Sequence, residues 1–260
     1  MRNQANKANL FRKRILRASR NNFSRIILAL DLHGASSTKL LRNGEMMVDR
    51  TAGYLCAVKM GRQTVLSLGP DATKRLIKNA HVNDLQCIID DKLNDIDETN
   101  REISSAYFGM GFDGIIVNPI AGWKGGLEPV FKTAHSEGRG VIAVVYMSHP
   151  GAAESYSQFV SNSHSKPRRQ YEVFAERAEA WGADGVVVGA TRPDIVRKVR
   201  SGLSDGIHIY SPGIGTQGGR VNQACKAGSD FLIIGRSITG APDPERAAII
   251  FARQSMSEFS

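Results

Sequence analysis

After Asn22 the chain repeats one unit eight times: a short apolar run rich in β-branched residues, a polar turn, and a stretch of helical periodicity. The apolar runs span residues 26–31, 54–60, 86–92, 113–118, 141–147, 185–189, 207–212 and 230–236. The helical stretches span 38–52, 71–80, 98–109, 126–137, 168–181, 193–201, 219–227 and 244–254. Pro70, Pro193 and Pro244 stand at or near helix starts, where a missing N–H is harmless, and Gly182, Gly202 and Gly228 stand just past helix ends. Eight strand–helix units in about 235 residues match a closed (β/α)8 barrel in size and alternation. A single α/β domain of the TIM-barrel type is therefore expected over residues 23–260. A doubly wound open sheet is the alternative, but it less often carries eight units so evenly spaced.

With 260 residues, 42% of them hydrophobic and 23% charged, the chain can bury a full-sized core, which excludes disordered, collagen-like and disulfide-scaffold classes. The longest apolar runs, such as 26–30 and 231–234, fall far below the roughly 18 residues of a membrane helix, so no membrane association is expected. The formal net charge is +9, but it is unevenly placed. Residues 1–30 carry Arg2, Lys7, Arg12, Lys13, Arg14, Arg17, Arg20 and Arg25 and no acid, leaving 26 basic against 25 acidic residues elsewhere. The excess thus belongs to an N-terminal arm, residues 1–22, expected as a flexible, solvated tail, and a basic groove for nucleic acid on the body is poorly supported. Contact of the arm with RNA or anionic lipid is the less favoured reading. Cys56, Cys87 and Cys225 form no CxxC pair and read as reduced core thiols of a cytoplasmic protein.

Barrel active sites lie at the carboxyl ends of the strands, and those ends are polar here: Asp31, Lys59, Asp90 with Lys92, Asn118, Ser148 and Arg236. The densest cluster is Asp90-Asp91-Lys92. Strand alternation puts Asp90 and Lys92 on one face, each holding the other charged, and Asp91 on the opposite face. Asp95 adds a second carboxylate and Lys59 a second ammonium. The loop 211–219 contains Gly213-x-Gly215-x-x-Gly218 after a strand. Too little chain follows for a dinucleotide domain, and Asp230 opens the next strand instead of closing it. In a barrel such a loop, with Gly235 and Arg236, suits a phosphate. The six histidines (His33, His81, His135, His149, His164, His208) show no metal-ligand spacing, and no GxSxG, Walker A or Cys–His signature occurs.

Taken in order, Leu28-Ala29-Leu30-Asp31, Val58-Lys59-Met60-Gly61, Asp90-x-Lys92-x-x-Asp95-Ile96-x-Glu98-Thr99-Asn100, Met147-Ser148-His149-Pro150-Gly151, Ser211-Pro212-Gly213-x-Gly215-x-Gln217-Gly218-Gly219 and Ile234-Gly235-Arg236-Ser237-Ile238 resemble the orotidine 5′-phosphate decarboxylases, above all their compact prokaryotic and archaeal forms. The resemblance implies decarboxylation of orotidine 5′-monophosphate to UMP and CO2 in de novo pyrimidine biosynthesis, with no cofactor and no metal. It implies a charge network of Lys59, Asp90, Lys92 and Asp95, with Asp90 against the substrate carboxylate and Lys92 protonating C6. Asp95 and Thr99 would be offered across the interface of a homodimer. Asp31 and Lys59 match ribose contacts and Ser148 a pyrimidine contact. Gln217, Gly235 and Arg236 match the phosphate grip, and Pro212, Gly213 and Gly218 further substrate-binding positions.

A metal-dependent sugar-phosphate decarboxylase or aldolase shares only the shorter DxKxxD core, and the Ile96-x-Glu98-Thr99-Asn100 continuation argues against it. Three features depart from the family pattern. Asp97 replaces a frequent proline. Asp91 fills a usually apolar slot and, if buried, requires a cationic or hydrogen-bonding partner. The arm is not required by the pattern at all.

Overall fold

A computed structural model of the chain describes residues 10–34, 36–161 and 166–257. Eight strands, β1 (Ile26–Ala29), β2 (Ala57–Gly61), β3 (Gln86–Leu93), β4 (Gly114–Val117), β5 (Gly140–Tyr146), β6 (Gly185–Val188), β7 (His208–Pro212) and β8 (Phe231–Ile234), close into one barrel. Every neighbouring pair is parallel, and β1 closes the ring against β8. Each strand overlaps one predicted run. Several end early: Asp31 and Asn118 lie past the ladder in loops, and Arg236 opens a short helix. Burial on both faces explains why the strands read as continuous Ile, Val, Leu and Ala runs.

Helices Ser37–Thr51, Pro70–Val82, Asp97–Met110, Glu128–Ser136, Gln170–Ala180, Pro193–Arg200, Val221–Lys226 and Pro244–Met256 overlap the predicted stretches. Pro70, Pro193 and Pro244 open their helices as expected. The short helices Arg62–Leu68, Ala152–Tyr156 and Arg236–Thr239 were not anticipated. Nor was the two-stranded antiparallel pair Phe159–Val160 with Arg168–Arg169, which takes the first residues of the helix expected at 168.

Residues 10–21 overturn the expectation of a solvated tail. They form helix α1 (Leu10–Asn21), which lies against the amino-terminal end of the barrel with Phe11 and Ile15 fully buried. The Phe11 ring sits over Gly114 and Gly140, where a Cβ at Gly140 would collide with it. Arg14 donates to Gln86 Oε1 (2.7 Å), Asp113 Oδ1 (3.3 Å) and the Gly138 carbonyl (3.1 Å), and Arg12 pairs with Asp184 (3.4 Å). The arginines that looked like a reason for solvation are therefore partners of buried carboxylates. Residues 1–9, the rest of the expected arm, lie outside the described residues.

Those carboxylates form a repeated device. Asp113, Asp184 and Asp230 stand just before β4, β6 and β8, and each accepts the N–H of a residue near the start of the preceding strand: Cys87 (2.9 Å), Val141 (2.9 Å) and Ile209 (2.8 Å). Each also faces a histidine, His81 (2.7 Å), His135 (3.2 Å) and His208 (3.8 Å), and at least one arginine. Three of the six histidines are thus accounted for at the end of the barrel away from the polar strand ends; His164 lies outside the described residues. The three cysteines are buried and form no disulfide among the described residues, and burial pushes the Cys56 and Cys87 thiols up. Among the described residues no helix is long and apolar enough to cross a membrane.

Candidate active site

The carboxyl ends of the strands surround a cavity of about 510 Å3, within the usual size of a small-molecule site. Register places its charged floor. Ala29 of β1 pairs with Lys59 of β2, and Gly61 of β2 pairs with Asp90 of β3, so Lys59 and Asp90 converge with Asp31, two residues past the end of β1. Lys59 Nζ donates to Asp31 Oδ1 and to Asp90 Oδ2, both at 3.2 Å, and Lys92 Nζ donates to Asp90 Oδ1 at 2.6 Å. The result is an alternating line, Asp31–Lys59–Asp90–Lys92, with Lys59 buried and the Asp90 side chain 16% exposed.

Burial alone would pull the Lys59 pKa down, but Asp90 and Asp31 outweigh it and hold the ammonium above its ordinary value. Burial alone would raise Asp90, but Lys59 and Lys92 outweigh it and hold the carboxylate below its ordinary range. Both groups are therefore charged at neutral pH.

Asp90 and Lys92 share the cavity and Asp91 points away, as alternation requires, but the backbone is not a regular strand. The β3–β4 register shifts between Asp90 and Leu93, and Lys92 takes φ +56°. A non-glycine residue held there costs about 1–3 kcal/mol, which the surrounding structure must supply. Asp91 is buried and has the partners its burial requires: Arg62 Nη1 at 3.8 Å and the Tyr107 hydroxyl, which donates at 3.3 Å. Burial still holds its carboxyl above the ordinary range, with Arg62 opposing. Asp97 sits in the first turn of Asp97–Met110, where a carboxylate suits the helix dipole, and pairs with Arg101 (2.9 Å).

Across the cavity, Ser148, Pro212, Gly213, Gln217, Gly235 and Arg236 line the wall. Gly213 takes φ +96°, and a Cβ there would come within 2.9 Å of Ser148 Cβ. The loop that follows folds on itself. Gly215 N donates to Gly219 O, Gly218 N to Gly215 O, Gly219 N to Gly213 O, and Thr216 N to Ser237 Oγ. Those four N–H groups are used locally, whereas the Gln217 side chain, Gly235 and Arg236 line the cavity, where they can meet an anion. Arg236 is exposed and makes no ion pair among the described residues.

Three expected site residues do not line the cavity. Gly218 serves the turn, with φ +93°. Asp95 is exposed, its carboxylate accepting from Ile96 N (2.7 Å) and its backbone N–H donating to Asn100 Oδ1 (3.0 Å). Thr99 lies in the first turn of the helix Asp97–Met110, half-buried. Conversely, Gln63, His149, Thr216 and Thr239 line the cavity without having been singled out. Gln63 was legible only through its position four residues after Lys59. One group of metal-ligand types, His81, Cys87 and Asp113, gathers at the opposite end, where Asp113 already serves Arg14 and Arg139.

A closed eight-stranded parallel barrel with an alternating charge line at the carboxyl ends of its strands, facing an arginine across a small cavity, defines the class: a (β/α)8-barrel enzyme. The chain belongs to the orotidine 5′-phosphate decarboxylase / HUMPS family, whose sequence model matches residues 24–249. It is 38% identical over 225 residues to the orotidine 5′-phosphate decarboxylase of Thermococcus kodakarensis, covering 86% of this chain and 93% of that one. It is 35% identical over 234 residues to the enzyme of the same name from Methanosarcina mazei, covering 90% and 96%. The crystal structure of orotidine 5′-phosphate decarboxylase from Pyrococcus horikoshii, 33% identical, matches with a TM-score of 0.71 over 88% of this chain and 98% of its own.

Proposed function

We propose that this protein decarboxylates orotidine 5′-monophosphate to UMP and CO2, using fixed charge and no cofactor. The observation that carries the reading is the Asp31–Lys59–Asp90–Lys92 line, set in a cavity whose far wall holds Gln217 and Arg236. Loss of CO2 from C6 leaves its bonding pair on a carbon that no adjacent carbonyl delocalises, so the barrier falls only if charge is already aimed at that atom. Asp90, ionised at neutral pH, repels the substrate carboxylate and favours its departure. The Lys92 ammonium stabilises the pair left on C6 and then donates its proton there, after which solvent reprotonates the amine. Asp31 and Lys59 serve the ribose hydroxyls and Ser148 the pyrimidine. Arg236, Gln217 and Gly235 hold the phosphate, whose remote binding energy draws loop 212–222 over the site and excludes water.

Asp95 and Thr99 fit a role in a second copy's site, since both stand away from their own cavity. On this reading the protein is a homodimer in which each cavity is completed by its partner.

The test is turnover of orotidine 5′-monophosphate in EDTA, followed by ultraviolet absorbance. Turnover is expected with the wild type and not with Lys92→Ala, which should still bind UMP. A folded wild type that is inactive in EDTA but active on a sugar phosphate with added divalent metal would replace this reading with the aldolase-like one.

A further inference from the structure

We infer that the first turn of helix Arg62–Leu68 is a positioning clamp for the charge line, with Arg62 and Gln63 as positioning residues, an inference that rests on the function proposed above. Three consecutive side chains just past Lys59 reach the strands on either side of it. Toward β1, Gln63 Nε2 donates to Asp31 Oδ1 at 3.1 Å, the same oxygen that accepts from Lys59 Nζ. Thr64 Oγ1 accepts from Leu32 N (3.1 Å) and donates to Leu30 O (3.3 Å), so it holds the backbone immediately before and after Asp31. Toward β3, Arg62 lies 3.8 Å from Asp91, the residue enclosed between Asp90 and Lys92.

Each grip addresses a freedom that the charge line leaves open. Asp31 stands beyond the β1 ladder with its side chain about a third exposed, and Lys59 is the only other side chain with a hydrogen bond to it among the described residues. Lys92 occupies a left-handed backbone position inside a register shift, which ladder bonds do not secure. The Tyr107 hydroxyl from the helix Asp97–Met110 hydrogen-bonds Asp91, and the Arg62 guanidinium, mostly exposed, adds a Coulombic contact from the β2 side, so the bulge is held from its outer face. The spacing of Asp31, Lys59, Asp90 and Lys92 is thereby set by one short helical turn that touches none of the reacting atoms through Arg62. Sub-ångström placement of such groups is what the chemical step depends on.

The experiment compares wild type, Arg62→Met, Arg62→Lys and Gln63→Ala for kcat, KM and melting temperature, with crystal structures of the wild type and Arg62→Met. Arg62→Met should lower kcat about tenfold with KM within about twofold, and Arg62→Lys should recover most of the loss. The structure of Arg62→Met should show the Lys92–Asp90 contact lengthened. Wild-type kcat in Arg62→Met, or an unchanged Lys59–Asp90–Lys92 spacing, overturns the clamp. If Arg62→Met does not fold, Gln63→Ala decides, since its side chain is exposed: a several-fold loss of kcat/KM at an unchanged melting temperature supports the clamp, and none overturns it. Absence of turnover in the wild type itself would overturn the proposed function instead, and the spacing in the two crystal structures would then decide the clamp alone.

Discussion

Asp90 and Asp91 are neighbours of identical chemistry whose environments push them in opposite directions. Asp90 is depressed because burial is outweighed by Lys59 and Lys92, so its ionisation stabilises the fold above its unfolded value of about 3.9, a gain lost as pH falls through the folded value. Lys59 is raised, so its contribution is full below its unfolded value of about 10.4 and is lost as pH rises through the folded one. Asp91 is raised by burial that Arg62 only partly offsets, so ionising it costs stability as pH rises from about 3.9 through its folded value. Thermal melts at neutral pH should therefore show Asp90→Asn less stable than wild type and Asp91→Asn more stable. The Asp91 difference should shrink as pH falls toward about 4, whereas the Asp90 difference should persist there and shrink only as pH falls further. A loss of stability in Asp91→Asn at neutral pH would show that its ion pair with Arg62 outweighs its desolvation.

Helix α1 shows how far an element's role can differ from its composition. Its basic residues dominate the sequence, yet its stability contribution comes from Phe11 and Ile15, both fully buried against the amino-terminal end of the barrel. Phe11→Ala should cost about 3–5 kcal/mol in urea unfolding, because the ring fills the space that Gly114 and Gly140 leave open. A solvated arm would lose nothing measurable. The apolar spacing of Phe11, Ile15 and Ala18 is helical and could have been read. What hid it was charge: Arg12 and Arg14 meet Asp184 and Asp113, and partners so distant in the chain leave no local trace. By contrast, the eight covering helices were legible because each carries its own apolar stripe, proline start or glycine stop.

For the molecule as a whole, the proposed dimer makes a prediction that a self-contained site does not. Lys92→Ala and Asp95→Ala should each be inactive alone. Mixed after unfolding and refolding together, they should recover about a quarter of wild-type activity, because half the dimers are hybrids and each hybrid rebuilds one intact site. No recovery, or a monomer by analytical ultracentrifugation, would return Asp95 to the role of a surface carboxylate. The alternation of strands and helices, the polar strand ends and the Asp90-x-Lys92 pair were all local patterns, visible in order along the chain because hydrophobic periodicity and strand alternation act over a few residues. Closure of the barrel then decided what no short window contains. It joined Asp31 just past β1, Lys59 of β2 and Asp90 of β3 into one charge line. It placed Gln63 and Arg62 where they grip both sides of that line, and it bent the backbone at Lys92 into a left-handed position. It also turned a basic amino-terminal segment into a packed helix. Coulombic and packing partners are chosen by distance in space, and only the closed barrel defines that distance.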